Sequence, residues 1–236
     1  MIEMSGARLL TDPVLRSRVA HLRRHVALPP DPGRCDAILI SHAHRDHLDL
    51  PSLRGLDPHT PLIAPRGALR TLRRSGREVH EVAAGDAVEI AGVRVLAVRA
   101  DHDGRRSPIS RRAASVGYVV AASRRVYFAG DTDLFAGMHV HTGTLDAALL
   151  PIWGWGSRIG AGHMDPERAA RALALLRPAL AVPIHWGTYR PLSLGRSRAA
   201  PASDPAQAFA AHAARLAPQV RVEVLRPGEC ATLPGA

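Results

Sequence analysis

Residues 37–40, Ala-Ile-Leu-Ile, form an apolar run that stops abruptly at Ser41-His42-Ala43-His44-Arg45-Asp46-His47. A short apolar run bounded by turn residues reads as a buried strand. Polar side chains released at its end stand at a sheet edge, where the sites of open α/β folds lie. His42 and His44 are two apart, so in an extended segment both face one side. Asp46 and His47 follow as the chain turns away and face a second point a few ångströms off. Imidazole and carboxylate together suit zinc, iron or manganese. The competing reading is a solvated loop, but nowhere else in the chain does histidine cluster with a carboxylate so densely.

A two-metal site needs further ligands, and the same grammar recurs. Asp101-His102-Asp103 follows the apolar run 93–98, Asp131 follows 126–129, and His185 follows 180–184. One histidine after one strand is more often structural than functional. Four strands that each release a histidine or aspartate point instead to one shared site.

Other predicted strands cover 116–121, 147–150 and 220–225, with weaker ones at 62–64 and 79–82. A hairpin is expected across 87–98, turning at Ala91-Gly92. Asp165-Pro166-Glu167 opens a helix, with Asp as N-cap, Pro at the first helical position and Glu favoured by the dipole. It runs to about Arg177. Asp204-Pro205 opens a second, Ala-rich helix to about Ala217, and residues 65–75 suggest a third, ended by Gly76. The segment 191–201 reads as a loop. Strands come in runs with helices between them, which predicts an α/β chain with helices outside its sheets. No boundary splits residues 1–236, so one domain is expected.

The formal net charge is +10, carried by arginine without a single lysine. A basic balance raises the question of nucleic acid or phosphate-bearing substrates. Aromatic residues make up only 4%, so stacking platforms for bases are scarce and nucleic acid is not the expected partner. No apolar run approaches the ~20 residues that cross a bilayer, and the start lacks a basic-then-apolar leader. Cytoplasmic location is therefore expected. Cys35 and Cys230 form no C-x-x-C pair and read as packing residues.

His42-x-His44-x-Asp46-His47 resembles the H-x-H-x-D-H signature of the metallo-β-lactamase superfamily. Together with residues 127–132, Leu150-Pro151-Ile152, 163–167 and 184–188, it looks like the branch holding ascorbate-6-phosphate lactonase and N-acyl-phosphatidylethanolamine phospholipase D. The similarity spans about Leu10 to Tyr189. It implies a four-layer αβ/βα sandwich with the site at one edge of two packed sheets. It also implies that His42, His44 and His102 hold one divalent metal, that Asp46, His47 and His185 hold a second, and that Asp131 bridges them. Zinc is the first expectation, with manganese or iron tolerated. The implied activity is hydrolysis of an ester, lactone or phosphate-bearing ester by a metal-activated water. Asp46 takes part in proton transfer, while His163 and Arg106 stabilise developing charge on a small, anionic substrate. The alternatives are a phosphodiesterase, including a nuclease, and a redox or metal-binding protein. Redox relatives usually replace one motif histidine by an acid, whereas His44 and His47 are both present. Asp101 or Asp103 is expected to support a ligand histidine. Trp153-Gly154-Trp155-Gly156 forms either a mobile wall for substrate or plain packing.

Overall fold

The computed structural model describes residues 1–73, 75–105, 113–155, 159–192 and 204–233. A five-stranded sheet takes the order β1 (Ile2–Met4), β2 (Ala7–Thr11), β5 (Ala37–Leu39), β6 (Leu62–Pro65), β7 (Val79–Val82). A seven-stranded sheet takes the order β15 (Arg221–Val222), β13 (Leu180–Ile184), β12 (Ala147–Pro151), β11 (Arg125–Phe128), β10 (Val116–Ala121), β9 (Val93–Arg99), β8 (Ala87–Ile90). The short strands β3 (Arg18–Val19), β4 (Leu22–Arg24) and β14 (Tyr189–Pro191) form a third sheet, ordered β14-β4-β3.

The two large sheets pack face to face. Leu9, Leu39 and Ile63 meet Val95, Tyr118, Val120 and Phe128 in the shared core. On its outer face the smaller sheet is covered by α1 (Leu50–Arg54) and α2 (Leu69–Leu72), through Leu53, Leu72, Ile38 and Leu62. On the other side α3 (Pro166–Leu176) and α4 (Pro205–Leu216) cover the larger sheet, through Leu173, Phe209, Val119 and Tyr127. The layers therefore run helix, sheet, sheet, helix. Strands β5 and β6 are buried along their whole length, as parallel strands covered on both faces must be.

Topology concentrates strand ends at one edge. Strand β9 is antiparallel to β10 and β10 to β11, so β9 runs the same way as the parallel set β11, β12 and β13. In the smaller sheet β2, β5 and β6 are mutually parallel. Helix α3 begins as its sequence predicts: the Asp165 side chain accepts from Arg168 N, Pro166 occupies the first turn, and Arg177 closes the helix in the left-handed region. Helix α4 repeats the device with Asp204 and Ala206 N. Ala91 and Gly92 both have positive φ, the type I′ pattern of a two-residue hairpin.

Three expectations are corrected. Residues 65–75 are not one helix: Pro65 ends β6, Gly67 turns at φ +94°, and only Leu69–Leu72 is helical, with no side-chain cap. The last strand spans Arg221–Val222 rather than 220–225. Pro191 belongs to β14 instead of a loop, and residues 193–201 of that stretch lie outside the described residues. Strands β1 to β4 and helix α1 were not expected. Strands β1, β3 and β4 have only two or three residues, and α1 is a single turn opened by Asp49.

Candidate metal centre

The loop after β5 carries His42, His44, Asp46 and His47. Residues just beyond β9, β11 and β13 bring in His102, Asp131 and His185. All seven meet. His44 Nδ1 lies 3.0 Å from His42 Nε2 and 3.1 Å from His102 Nε2. His47 Nε2 lies 3.2 Å from His185 Nε2, and Asp46 Oδ2 is 4.0 and 3.8 Å from those two nitrogens. Asp131 sits between the groups: its Oδ2 is 3.8 Å from His42 Nε2 and 3.1 Å from His47 Nε2, and its Oδ1 is 3.5 Å from His185 Nε2.

Hydrogen bonds behind these rings decide which nitrogen faces inward. Ser41 Oγ gives its proton to Asp12 Oδ2 at 2.5 Å, so towards His42 Nδ1, 3.0 Å away, it acts as acceptor. His47 Nδ1 donates to Asp12 Oδ2 at 2.7 Å, His102 Nδ1 to the Gly162 carbonyl at 2.9 Å, and His185 Nδ1 to the Trp153 carbonyl at 2.6 Å. With Nδ1 engaged outward, the Nε2 atoms of His42, His47, His102 and His185 face inward, while His44 turns its Nδ1 inward. Lone pairs 3.0–3.2 Å apart repel unless a proton or cation lies among them. Two nitrogens bound tetrahedrally to zinc at ~2.0–2.1 Å would stand roughly 3.3–3.4 Å apart, close to what is found. Among the described residues Asp131 Oδ1 is buried without any hydrogen-bond partner, a costly state for a carboxylate oxygen. The donor set thus fits divalent cations.

Charge follows the same logic. Burial drives His42 well below the usual histidine value and His102 down to about 4, keeping both neutral. Burial also opposes charge on His47, but the carboxylates of Asp131 and Asp12 outweigh it and hold His47 well above its usual value. For Asp131 burial is outweighed in turn by His185, His47 and His163, and the carboxylate stays ionised.

Close backbone approach shapes the cage. A Cβ on Gly130, which precedes Asp131 at φ +60°, would fall 2.4 Å from Ser41 Cβ. One on Gly162, at φ +80°, would press on His102 Nδ1 at 3.0 Å. Asp12, Trp155 and His185 adopt positive φ without being glycine, and such backbone strain gathers at functional sites.

His163, two residues before the α3 cap, points Nε2 at Asp131 Oδ2 from 3.3 Å. Arg106 lies outside the described residues, as does Gly156 of the tryptophan loop. Neither Asp101 nor Asp103 stands behind His102 Nδ1, which meets the Gly162 carbonyl. Asp103 instead faces Arg105, and the Asp101 backbone bonds Thr132 and Asp133. Trp155 donates from Nε1 to Asp46 Oδ2 at 2.8 Å and lies 4.3 Å from the His185 ring. Asp12 is the residue that sequence reasoning missed. Its signal was present, since it follows the buried strand β2 as the other acids follow theirs.

Residues 7–186 match the family described as Beta-lactamase superfamily domain. A UPF0173 metal-dependent hydrolase of Opitutus terrae is 32% identical over 97% of this chain and 93% of its own. An N-acyl-phosphatidylethanolamine-hydrolyzing phospholipase D of Caenorhabditis elegans is 27% identical over 80% of this chain and 61% of its own length. Igni18, a metallo hydrolase of Ignicoccus hospitalis, superposes with a TM-score of 0.71 and 25% identity, covering 96% of this chain and 91% of that one. With the four layers and the gathered histidines and aspartates, these likenesses show that the chain belongs to the metallo-β-lactamase superfamily, as a metal-dependent hydrolase.

Proposed function

We propose that this protein hydrolyses a small anionic ester or lactone at a two-cation centre. The observation that carries the reading is the set of inward-facing ring nitrogens, four of them fixed from behind, around an Asp131 Oδ1 that has no hydrogen-bond partner among the described residues. His42, His44 and His102 would hold one cation, Asp46, His47 and His185 the other, with Asp131 shared. Three imidazoles favour zinc, and the mixed set tolerates manganese or iron. Bound cations would supply Lewis acidity, making water a stronger acid and polarising a carbonyl or phosphoryl oxygen of the substrate. The chain's own groups do the rest. Asp46, whose Oδ2 accepts from the Trp155 indole, would accept and pass on a proton. His163 faces the centre and would donate to negative charge developing on the substrate. Arg106 is assigned the same task from the sequence resemblance.

A second reading is a phosphodiester substrate, favoured by the similarity to the phospholipase D of Caenorhabditis elegans. Elemental analysis of the purified protein, followed by assay of that sample on lactones, phosphomonoesters and phosphodiesters, separates the two. A flat salt titration against RNA and DNA would exclude a nuclease. His44→Ala and Asp131→Ala should lose both metal and turnover while staying folded. Full activity in metal-free Asp131→Ala protein would defeat the mechanism. Among the described residues no helix is long and apolar enough to cross a membrane.

A further inference from the structure

Two contiguous cavities, of about 240 and 200 Å³, open beside the metal centre and share Val19, Ala20 and Arg45. The larger reaches Asp46 and Trp155. The smaller is bordered by Arg16, Arg54 and Asp49. Three arginines thus gather in one cleft, and the carboxylate among them is already engaged. Asp49 takes the Arg16 guanidinium on both oxygens, at 2.7 Å each, and its Oδ2 also accepts from Ser52 N and Oγ at the start of α1. Asp46 is likewise committed, to the Trp155 indole and the two histidines. Arg45 and Arg54 make no ion pair among the described residues. An ordinary surface arginine would also look exposed, but Arg45 differs in its anchoring. It stands between His44 and Asp46, so its backbone is fixed by the same contacts that order the cage.

We propose that this double cleft receives a phosphate group carried by the substrate, with Arg45 as its main contact and Arg54 as its second. A guanidinium presents a planar fork of donors that matches phosphate oxygens, and among the described residues no carboxylate pairs with Arg45 or Arg54. The bond to be cleaved would then reach the centre past Trp155. The substrate part of this inference rests on the proposed hydrolase reading; the binding of phosphate by the arginines does not require it.

Calorimetric titration of glycerol 3-phosphate tests the inference, with uncharged glycerol as control. The protein is used wild-type, wild-type after metal depletion, as Arg45→Gln and as Arg54→Gln. Glycerol 3-phosphate should bind both wild-type forms, glycerol neither. Arg45→Gln should weaken binding by about ten- to a hundredfold, as expected for a lost charge-assisted hydrogen bond, and Arg54→Gln by less. Unchanged binding by Arg45→Gln, or none by wild type, overturns the inference. So does loss of binding on metal depletion with an unaltered circular dichroism spectrum, because the phosphate then sits on the cations. Sedimentation with phosphatidylcholine vesicles containing phosphatidic acid identifies the source. Arg45-dependent pelleting assigns a lipid headgroup, and soluble protein that still binds glycerol 3-phosphate assigns a soluble phosphate ester. Failure of the hydrolase reading looks different: metal-replete protein that binds glycerol 3-phosphate through Arg45 but turns over no ester.

Discussion

The two halves of the cage differ less in the atoms they turn inward than in what stands behind them. His42, His44 and His102 bring no formal charge, and the acceptors behind His42 and His102 are a hydroxyl and a carbonyl, Ser41 Oγ and Gly162 O. Asp46, His47 and His185 include one carboxylate, and a second, Asp12, stands one bond behind His47. Burial is the largest influence on His42 and His102 in the first half and keeps both imidazoles neutral. For His47 in the second half burial loses to the carboxylates of Asp131 and Asp12, and the ring holds a proton wherever no cation replaces it. An outer carboxylate also makes an imidazole a stronger ligand. On the proposed reading, one cluster would offer a neutral, three-imidazole seat beside a charge-tuned one.

Substitutions can break or sharpen that contrast. Asp131→Ala should have the largest effect, because Asp131 touches both halves. Metal content should fall from about two ions per chain to below one, and turnover should vanish, as read by elemental analysis and assay. Retention of one tightly held ion would show the halves to be independent. Asp12→Ala should act next and unevenly. Affinity at the charged half should drop by about ten- to a hundredfold, measured by chelator competition. The Ser41 N–H and hydroxyl, which donate to Asp12 at 2.7 and 2.5 Å, would lose their acceptor at a cost of about 1–3 kcal/mol. Equal weakening of both ions would make Asp12 a support for the Ser41 loop as a whole.

Trp155→Phe keeps a ring against His185 but removes the donor to Asp46. About a tenfold loss of affinity confined to the charged half is expected for one hydrogen bond to a carboxylate. An unchanged affinity would reduce Trp155 to a wall of the cleft. Asp204→Ala, at the cap of α4, should leave both halves loaded. It should cost about 1 kcal/mol and lower Tm by roughly 2–4 °C; a change in metal content would mean that the outer helices tension the cage.

All seven ligand candidates were legible before the fold, because a sheet that ends in ligands writes an apolar run next to a polar burst. Strands β10 and β13 and the starts of α3 and α4 were legible for similar local reasons: buried strands are continuously apolar, and Asp-Pro is a cap followed by a residue suited to the first turn. Asp12 escaped notice because its strand was not read, and its partners Ser41 and His47 lie 29 and 35 residues away. The supposed helix at 65–75 failed because Pro65 pairs in a sheet and Gly67 turns the chain, contacts that local propensity does not record.

Composition, pattern and spacing thus determined the residue types at the centre, the strands that deliver them and the placing of helices outside the sheets, while the four-layer sandwich followed from the family resemblance. Tertiary structure alone decided which ring nitrogen faces inward and which acceptor stands behind it: Gly162 rather than a neighbouring aspartate for His102, Trp153 for His185. The reason is that these partners are backbone carbonyls and glycine gaps from distant loops. Every residue type carries the former, so only the folded path of the chain can select them.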